Sequence, residues 1–143
     1  MTRFVVDASV VVKWFLPEEH AEYARRLLNE GFELSSPDLL RAEVGNVLWK
    51  RWRRGDISAE EAGEILRHFR RLPLKIQTSE PLMETAWSVA RRFDRSFYDG
   101  VYVALAELTG YPLVTADRKL YDALRESDLA EPLLFWVEEL DTA

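Results

Sequence analysis

The chain has 143 residues, 48% of them hydrophobic and 31% charged, which suits one compact domain with a sizeable buried core. Its net charge of −6, from 25 acidic and 19 basic side chains, gives no global attraction for polyanions, so a nucleic acid would have to be held by local basic patches or bound cations. There is no cysteine, which excludes disulfides, thiolate zinc sites and cysteine nucleophiles and fits a reducing cytoplasm.

Short β-branched runs alternate with longer amphipathic stretches, the pattern of an α/β fold with a parallel sheet. The first strand is Phe4 to Val6, ending at Asp7. A short helix follows from about Ser9 and stops at Pro17. A second helix is expected from Glu18 to about Glu30, with Gly31 as its C-terminal stop. Glu33 to Ser35 reads as the second strand. Pro37 opens a long helix carrying Leu40, Val44, Val47, Leu48 and Trp52, and Gly55 ends it. Ser58 and Glu61 form a capping box for the next helix. Leu74 to Gln77 is the third strand, and Ser79 caps a helix reaching Phe93. A strongly apolar helix runs from Tyr98 to Leu108 and stops at Gly110. Leu113 to Thr115 is the fourth strand, Asp117 opens a short helix, and Leu133 to Val137 is an edge strand. No repeat, linker or low-complexity segment is visible. No stretch approaches the roughly 18 apolar residues of a membrane helix, and Asp7 and Lys13 break up the N-terminal apolar run, so no signal peptide is expected.

Ligands of open parallel sheets bind at the carboxyl ends of the strands. Asp7 ends the first strand and Asp117 follows the fourth, so both fall on one sheet edge. Helix capping is the simpler reading of each, and it is compatible with a second role. Glu43 stands four residues after Leu39 and four before Val47, on the stripe that faces the core. A buried carboxylate there needs an arginine, a set of donors or a metal. Asp99 opens a helix that is apolar almost all round and therefore central; capping explains it as well as function does. If the four converge, their charges repel, and a divalent cation relieves the repulsion. Oxygen ligands without His or Cys select Mg²⁺ or Mn²⁺. Ser9 and Thr115 lie beside Asp7 and Asp117, where their hydroxyls can reach the carboxylates or serve the cap and the strand. Asn46, one turn after Glu43, can orient its carboxylate. His20 and His68 read as surface residues within helices.

Four segments in series carry a resemblance over nearly the whole chain: VVDASVVVKWFLPEE from Val5, RAEVGNVLWK from Arg41, YDGVYVALAE from Tyr98 and LVTADRKL from Leu113. Together they resemble the PIN domain, and more closely the VapC toxins of bacterial and archaeal toxin–antitoxin pairs. The resemblance places the family's acidic residues on Asp7, Glu43, Asp99 and Asp117. Its active-site hydroxyls fall on Ser9 and Thr115, and its asparagine on Asn46. Gly100 departs from the usual alanine, a change of packing and helix stability. The resemblance implies a five-stranded parallel sheet with helices on both faces and one nuclease domain spanning residues 1–143. It implies Mg²⁺- or Mn²⁺-dependent endonucleolytic cleavage of RNA, a homodimer, and a VapB-like antitoxin whose C-terminal segment blocks the acidic cleft.

On that reading Asp7, Asp99 and Asp117 hold metal, and Glu43 either joins them or accepts the proton of the attacking water. Basic residues cluster at helix ends: Arg51, Arg53 and Arg54 beside Trp49 and Trp52; Arg67, Arg70 and Arg71; Arg91, Arg92 and Arg95. Aromatics beside cations suit single-stranded RNA, but complementing helix dipoles is the favoured reading, with the tryptophans in core or interface. The alternative function is a catalytically inactive PIN-like module that binds a protein partner. A receiver domain would need an acceptor Asp where the third strand ends in Gln77-Thr78-Ser79, and a haloacid-dehalogenase-like phosphatase would need an Asp where Ser9 stands.

Overall fold

The computed structural model describes residues 2–129 and 133–142. Its elements follow the expected alternation. Five strands are β1 (Thr2–Val6), β2 (Phe32–Pro37), β3 (Lys75–Gln77), β4 (Leu113–Thr115) and β5 (Leu134–Trp136). The helices are α1 (Ala8–Val11), α2 (Ala21–Arg25), α3 (Leu39–Arg53), α4 (Ala59–Arg70), α5 (Met83–Phe93), α6 (Phe97–Thr109) and α7 (Arg118–Leu124). Every strand pairing is parallel, in the order β3-β2-β1-β4-β5. The α/β expectation with about five parallel strands therefore holds.

The strand order grows from β1 towards β2 and β3, then jumps back to place β4 on the other side. The reversal falls between β1 and β4, the position at which open parallel sheets bind their ligands beyond the strand carboxyl ends. β1 has to be buried on both faces to occupy this position, and Phe4, Val5 and Val6 are fully buried. α6 supplies much of the covering core: Val101, Tyr102, Val103, Ala104, Leu105 and Ala106 are all buried. Leu40, Val44 and Leu48 form the buried stripe of α3 at the expected spacing.

Several boundaries move, each for a local reason. The helix expected from Glu18 to Glu30 is reduced to α2 and a 3-10 turn, Arg26–Leu28. His20 precedes it with φ 66°, a left-handed conformation that prevents helix from starting earlier. Pro37 closes β2 instead of opening α3. Ser79 makes no cap: its hydroxyl and backbone N–H both bond the Asp38 carboxylate, and a 3-10 turn, Glu80–Leu82, precedes α5. The capping box of Ser58 and Glu61 is complete. β5 ends one residue early because Val137 begins a 3-10 turn.

Gly100 has a specific packing role. α5 and α6 cross so closely that a Cβ on Gly100 would collide with the Ala86 backbone carbonyl. Here the departure from alanine is what permits the helix contact, and it fixes the height at which the neighbouring Asp99 is presented.

Candidate active site at the strand crossover

Asp7 follows β1 and caps α1, accepting a hydrogen bond from Val10 N at 3.2 Å. Its capping role and its place at the switch point coexist. Both carboxylate oxygens are engaged. Ser9 Oγ donates to Oδ1 at 2.5 Å, and Thr115 Oγ1 donates to Oδ2 at 2.6 Å. Each hydroxyl also accepts from the chain beyond β4: Ala116 N donates to Ser9 Oγ and Asp117 N to Thr115 Oγ1, both at 3.0 Å. The two hydroxyls are thus the pins that hold the ends of β1 and β4 in register. Burial outweighs these bonds and raises the Asp7 pKa to about 6.

Asp117 caps α7 through Lys119 N and Leu120 N. Asp99 is not itself a cap. Ser96 caps α6 and accepts from Asp99 N, so Asp99 stands in the first helical turn. Its carboxylate is half-buried and takes two hydrogen bonds from Arg95, at 2.9 and 3.1 Å. Burial still raises its pKa, against the pull of Arg95.

Glu43 sits on α3 with its backbone half-turned to the core, as its spacing required. Oε1 is buried and has no hydrogen-bond partner. Burial raises its pKa against the pull of the Tyr102 hydroxyl, and the Asp99 charge raises it further. The Tyr102 hydroxyl, also buried and unpartnered, stands close enough to Glu43 to couple with it, without closing a bond of ordinary geometry. Asn46 is exposed on the same cleft wall as Glu43, and Glu43 Oε1 receives no orienting bond from it.

The four carboxylates feel one another. Asp117 repels both Asp7 and Asp99, and Asp99 repels Glu43. Side chains as far apart in sequence as Asp7 and Asp117 therefore lie within electrostatic reach of each other. Among the described residues, no three acidic or His side chains are drawn together tightly enough to grip one ion as they stand. Mg²⁺ does not require such a cage: it is commonly held by one or two carboxylates, with water and substrate phosphate completing the shell. The donor set fits it, being all oxygen, mutually repelling, and containing in Glu43 Oε1 a buried acceptor without a donor.

Sequence reasoning missed three contributors. Arg95 was grouped with the helix-end cations, yet it is the counter-ion of Asp99; the four-residue spacing was the available signal. Tyr102 was read as core, and nothing in its periodicity distinguishes it. Lys13 is buried, pairs with Glu18 at 3.3 Å, and Glu18 in turn pairs with Arg51; burial lowers the Lys13 pKa. The surface position expected of His20 does not hold. His20 is half-buried, edge-on to Trp136 with ring centroids 5.6 Å apart, while His68 is exposed as expected. Trp49 and Trp52 are exposed and do not belong to the core, and Arg53 lies over the Trp49 ring.

Mutually repelling acidic side chains near the switch point of a five-stranded parallel sheet fit a PIN domain, and the model of the PIN domain family matches residues 4–140. The chain belongs to the PIN-domain family. Ribonuclease VapC3 of Pyrobaculum aerophilum is 38% identical over 120 residues, covering 82% of this chain and 92% of that protein. The crystal structure of PAE2754, also from Pyrobaculum aerophilum, superposes with a TM-score of 0.72 at 27% identity, covering 99% of this chain and 91% of the other. VapBC2 from Rickettsia felis, crystallised with a DNA fragment from its promoter, shares the fold at 14% identity, with a TM-score of 0.64 over 94% of this chain and 97% of the other.

Proposed function

We propose that this chain is a Mg²⁺- or Mn²⁺-dependent endoribonuclease, the toxin of a toxin–antitoxin pair. Kinship with a VapC ribonuclease supports the RNA substrate. The observation that carries the chemistry is the electrostatic linkage, pair by pair, of Asp7 to Asp117, Asp117 to Asp99 and Asp99 to Glu43. The fold relationship to a VapBC protein supports an antitoxin partner of VapB type. In the same reading the chain acts as one domain, as a homodimer, in the cytoplasm. Among the described residues no helix is long and apolar enough to cross a membrane.

The proposed reaction is hydrolysis of a phosphodiester. Water adds to phosphorus in line, the bond to the leaving oxygen breaks, and the leaving oxygen takes up a proton. A divalent ion held by Asp7, Asp99, Asp117 and Glu43 would supply charge neutralisation at the phosphate and acidify the attacking water. Asp7 is held in place beforehand by Ser9, Thr115 and Val10 N, so its carboxylate needs no reorganisation. Glu43 either shares the ion or accepts the proton of the attacking water; burial raises its basicity against the pull of the neighbouring Tyr102 hydroxyl. Arg95 neutralises Asp99 until that carboxylate is called on. Asn46 borders Glu43 and faces solvent, on the side open to substrate.

The test is cleavage of single-stranded RNA by the purified protein in Mg²⁺ or Mn²⁺, against EDTA and against Asp99→Asn. Cleavage that needs the ion and fails in the variant supports the reading. Undiminished cleavage by Asp99→Asn refutes it. The inactive interaction-module reading would be supported instead if the wild-type chain cleaved nothing and bound no Mn²⁺.

A further inference from the structure

A cleft of about 380 Å³ opens beside Glu43, lined by Leu39, Ala42, Glu43 and Asn46 from α3 and by Tyr98 from α6. It falls in the usual size range of small-molecule sites, roughly 300–1,000 Å³. Tyr98 is 61% exposed, although it immediately precedes Asp99 on a helix whose next turns, Gly100 to Ala106, are packed in the core. An aromatic ring left in water at that position is available for a planar partner. Leu39 and Ala42 give the cleft an apolar wall. Asn46 adds one amide, carrying two N–H donors and one carbonyl acceptor.

The chemistry of the walls selects the occupant. A phosphate placed here would face the Glu43 carboxylate, and among the described residues no cation lines the cleft to offset it. A neutral group with a flat π-face and a hydrogen-bonding edge meets no such penalty. Bases stack on aromatic side chains irrespective of sequence, and an asparagine amide pairs with adjacent donor and acceptor atoms on a base edge. The cleft also adjoins the acids at which the scissile phosphate is proposed to sit.

We propose that this cleft is a nucleobase subsite, in which Tyr98 stacks on the base flanking the scissile phosphate and Asn46 binds its edge. The inference rests on the ribonuclease reading and adds to it a source of sequence preference.

Two measurements test it. In EDTA, adenosine, guanosine, cytidine and uridine are titrated into the isotope-labelled full chain and followed by NMR. Nucleosides carry no phosphate, so the acids do not repel them, and no ion is needed. The expected result is movement of the Tyr98 ring and Asn46 side-chain amide signals. Affinity should fall about tenfold in Tyr98→Ala and be kept in Tyr98→Phe, in line with the size of base–aromatic stacking. Asn46→Leu should narrow the differences among the four nucleosides. In cleavage assays Tyr98→Ala should raise KM by a similar factor while kcat changes little. Nucleosides that leave Tyr98 and Asn46 unmoved in the folded protein would overturn the proposal. So would a Tyr98→Ala variant with unchanged KM, including one that has lost only antitoxin binding. If the wild-type chain cleaves no RNA, the ribonuclease reading fails, while the nucleoside titration still decides whether the subsite exists.

Discussion

Thr115 Oγ1 donates to Asp7 Oδ2 at 2.6 Å across 108 residues of chain, and the same oxygen accepts from Asp117 N. One hydroxyl therefore ties the end of β1, the end of β4 and the cap of α7 into a single unit. Replacing Thr115 by Val keeps the shape and removes both bonds. A hydrogen bond to a charged group contributes about 1.5–3 kcal/mol, so urea unfolding at neutral pH should show a loss of that order. A conservative change on a fully buried strand would otherwise lie at the low end of core substitutions. Ser9→Ala should show a smaller loss, because Ser9 is less buried.

Asp7 makes stability depend on pH in an unusual direction. Its folded-state pKa, about 6, lies above its ordinary value of 3.8. The neutral form is favoured by folding, so the contribution is fully present below about pH 4 and is lost as pH rises through about 6. At pH 7–8 the buried charge weakens the fold. Asp7→Asn, measured in EDTA, should therefore be more stable than wild type at pH 8 by on the order of 1–3 kcal/mol, with the gap closing towards pH 4. A chemical-denaturation series across that range checks it; a gap that widens on acidification would contradict the sign.

Gly100→Ala restores the family's usual residue and should still destabilise. The added methyl meets the Ala86 carbonyl, a backbone group that cannot turn aside. Overpacking of this kind costs about 1–3 kcal/mol, against which the better helix propensity of Ala returns only about 1 kcal/mol. A lower Tm than wild type is expected, together with weaker Mn²⁺ binding, because Asp99 moves with the helix.

Arg95 holds Asp99 while no ion does. Arg95→Ala should lower stability in EDTA, since it strands a half-buried carboxylate, and saturating Mn²⁺ should recover much of the difference. Thermal melts with and without Mn²⁺ separate these effects. A deficit that Mn²⁺ leaves untouched would mean that Arg95 is structural only.

Much of this was legible from the residues. Asp7 and Asp117 could be placed on one sheet edge because strand ends are marked by short β-branched runs and because ligands gather there. Glu43 was legible from its place on an otherwise apolar stripe. The paired strands themselves were easier to see than α2, where the left-handed His20 overrides a periodic pattern that promised a longer helix. Arg95, Tyr102 and Lys13 stayed hidden because their roles come from packing between elements. A basic residue at a helix end, an aromatic in a core helix and a lysine in an apolar run look the same whether or not a carboxylate lies opposite. The Ser79–Asp38 tie was hidden for the same reason, being a contact across 41 residues that displaced an ordinary cap.

The account stands on four carboxylates from four separate segments acting as one cation site. Titration calorimetry of Mn²⁺ into the nucleic-acid-free chain tests this most directly, with wild type, Asp7→Asn and Glu43→Gln compared under identical buffer. Saturable binding by the wild type that is weakened at least tenfold by either substitution, although the two residues lie on different elements, is the predicted result. Wild-type protein that takes up no Mn²⁺, or binding indifferent to both changes, would contradict it.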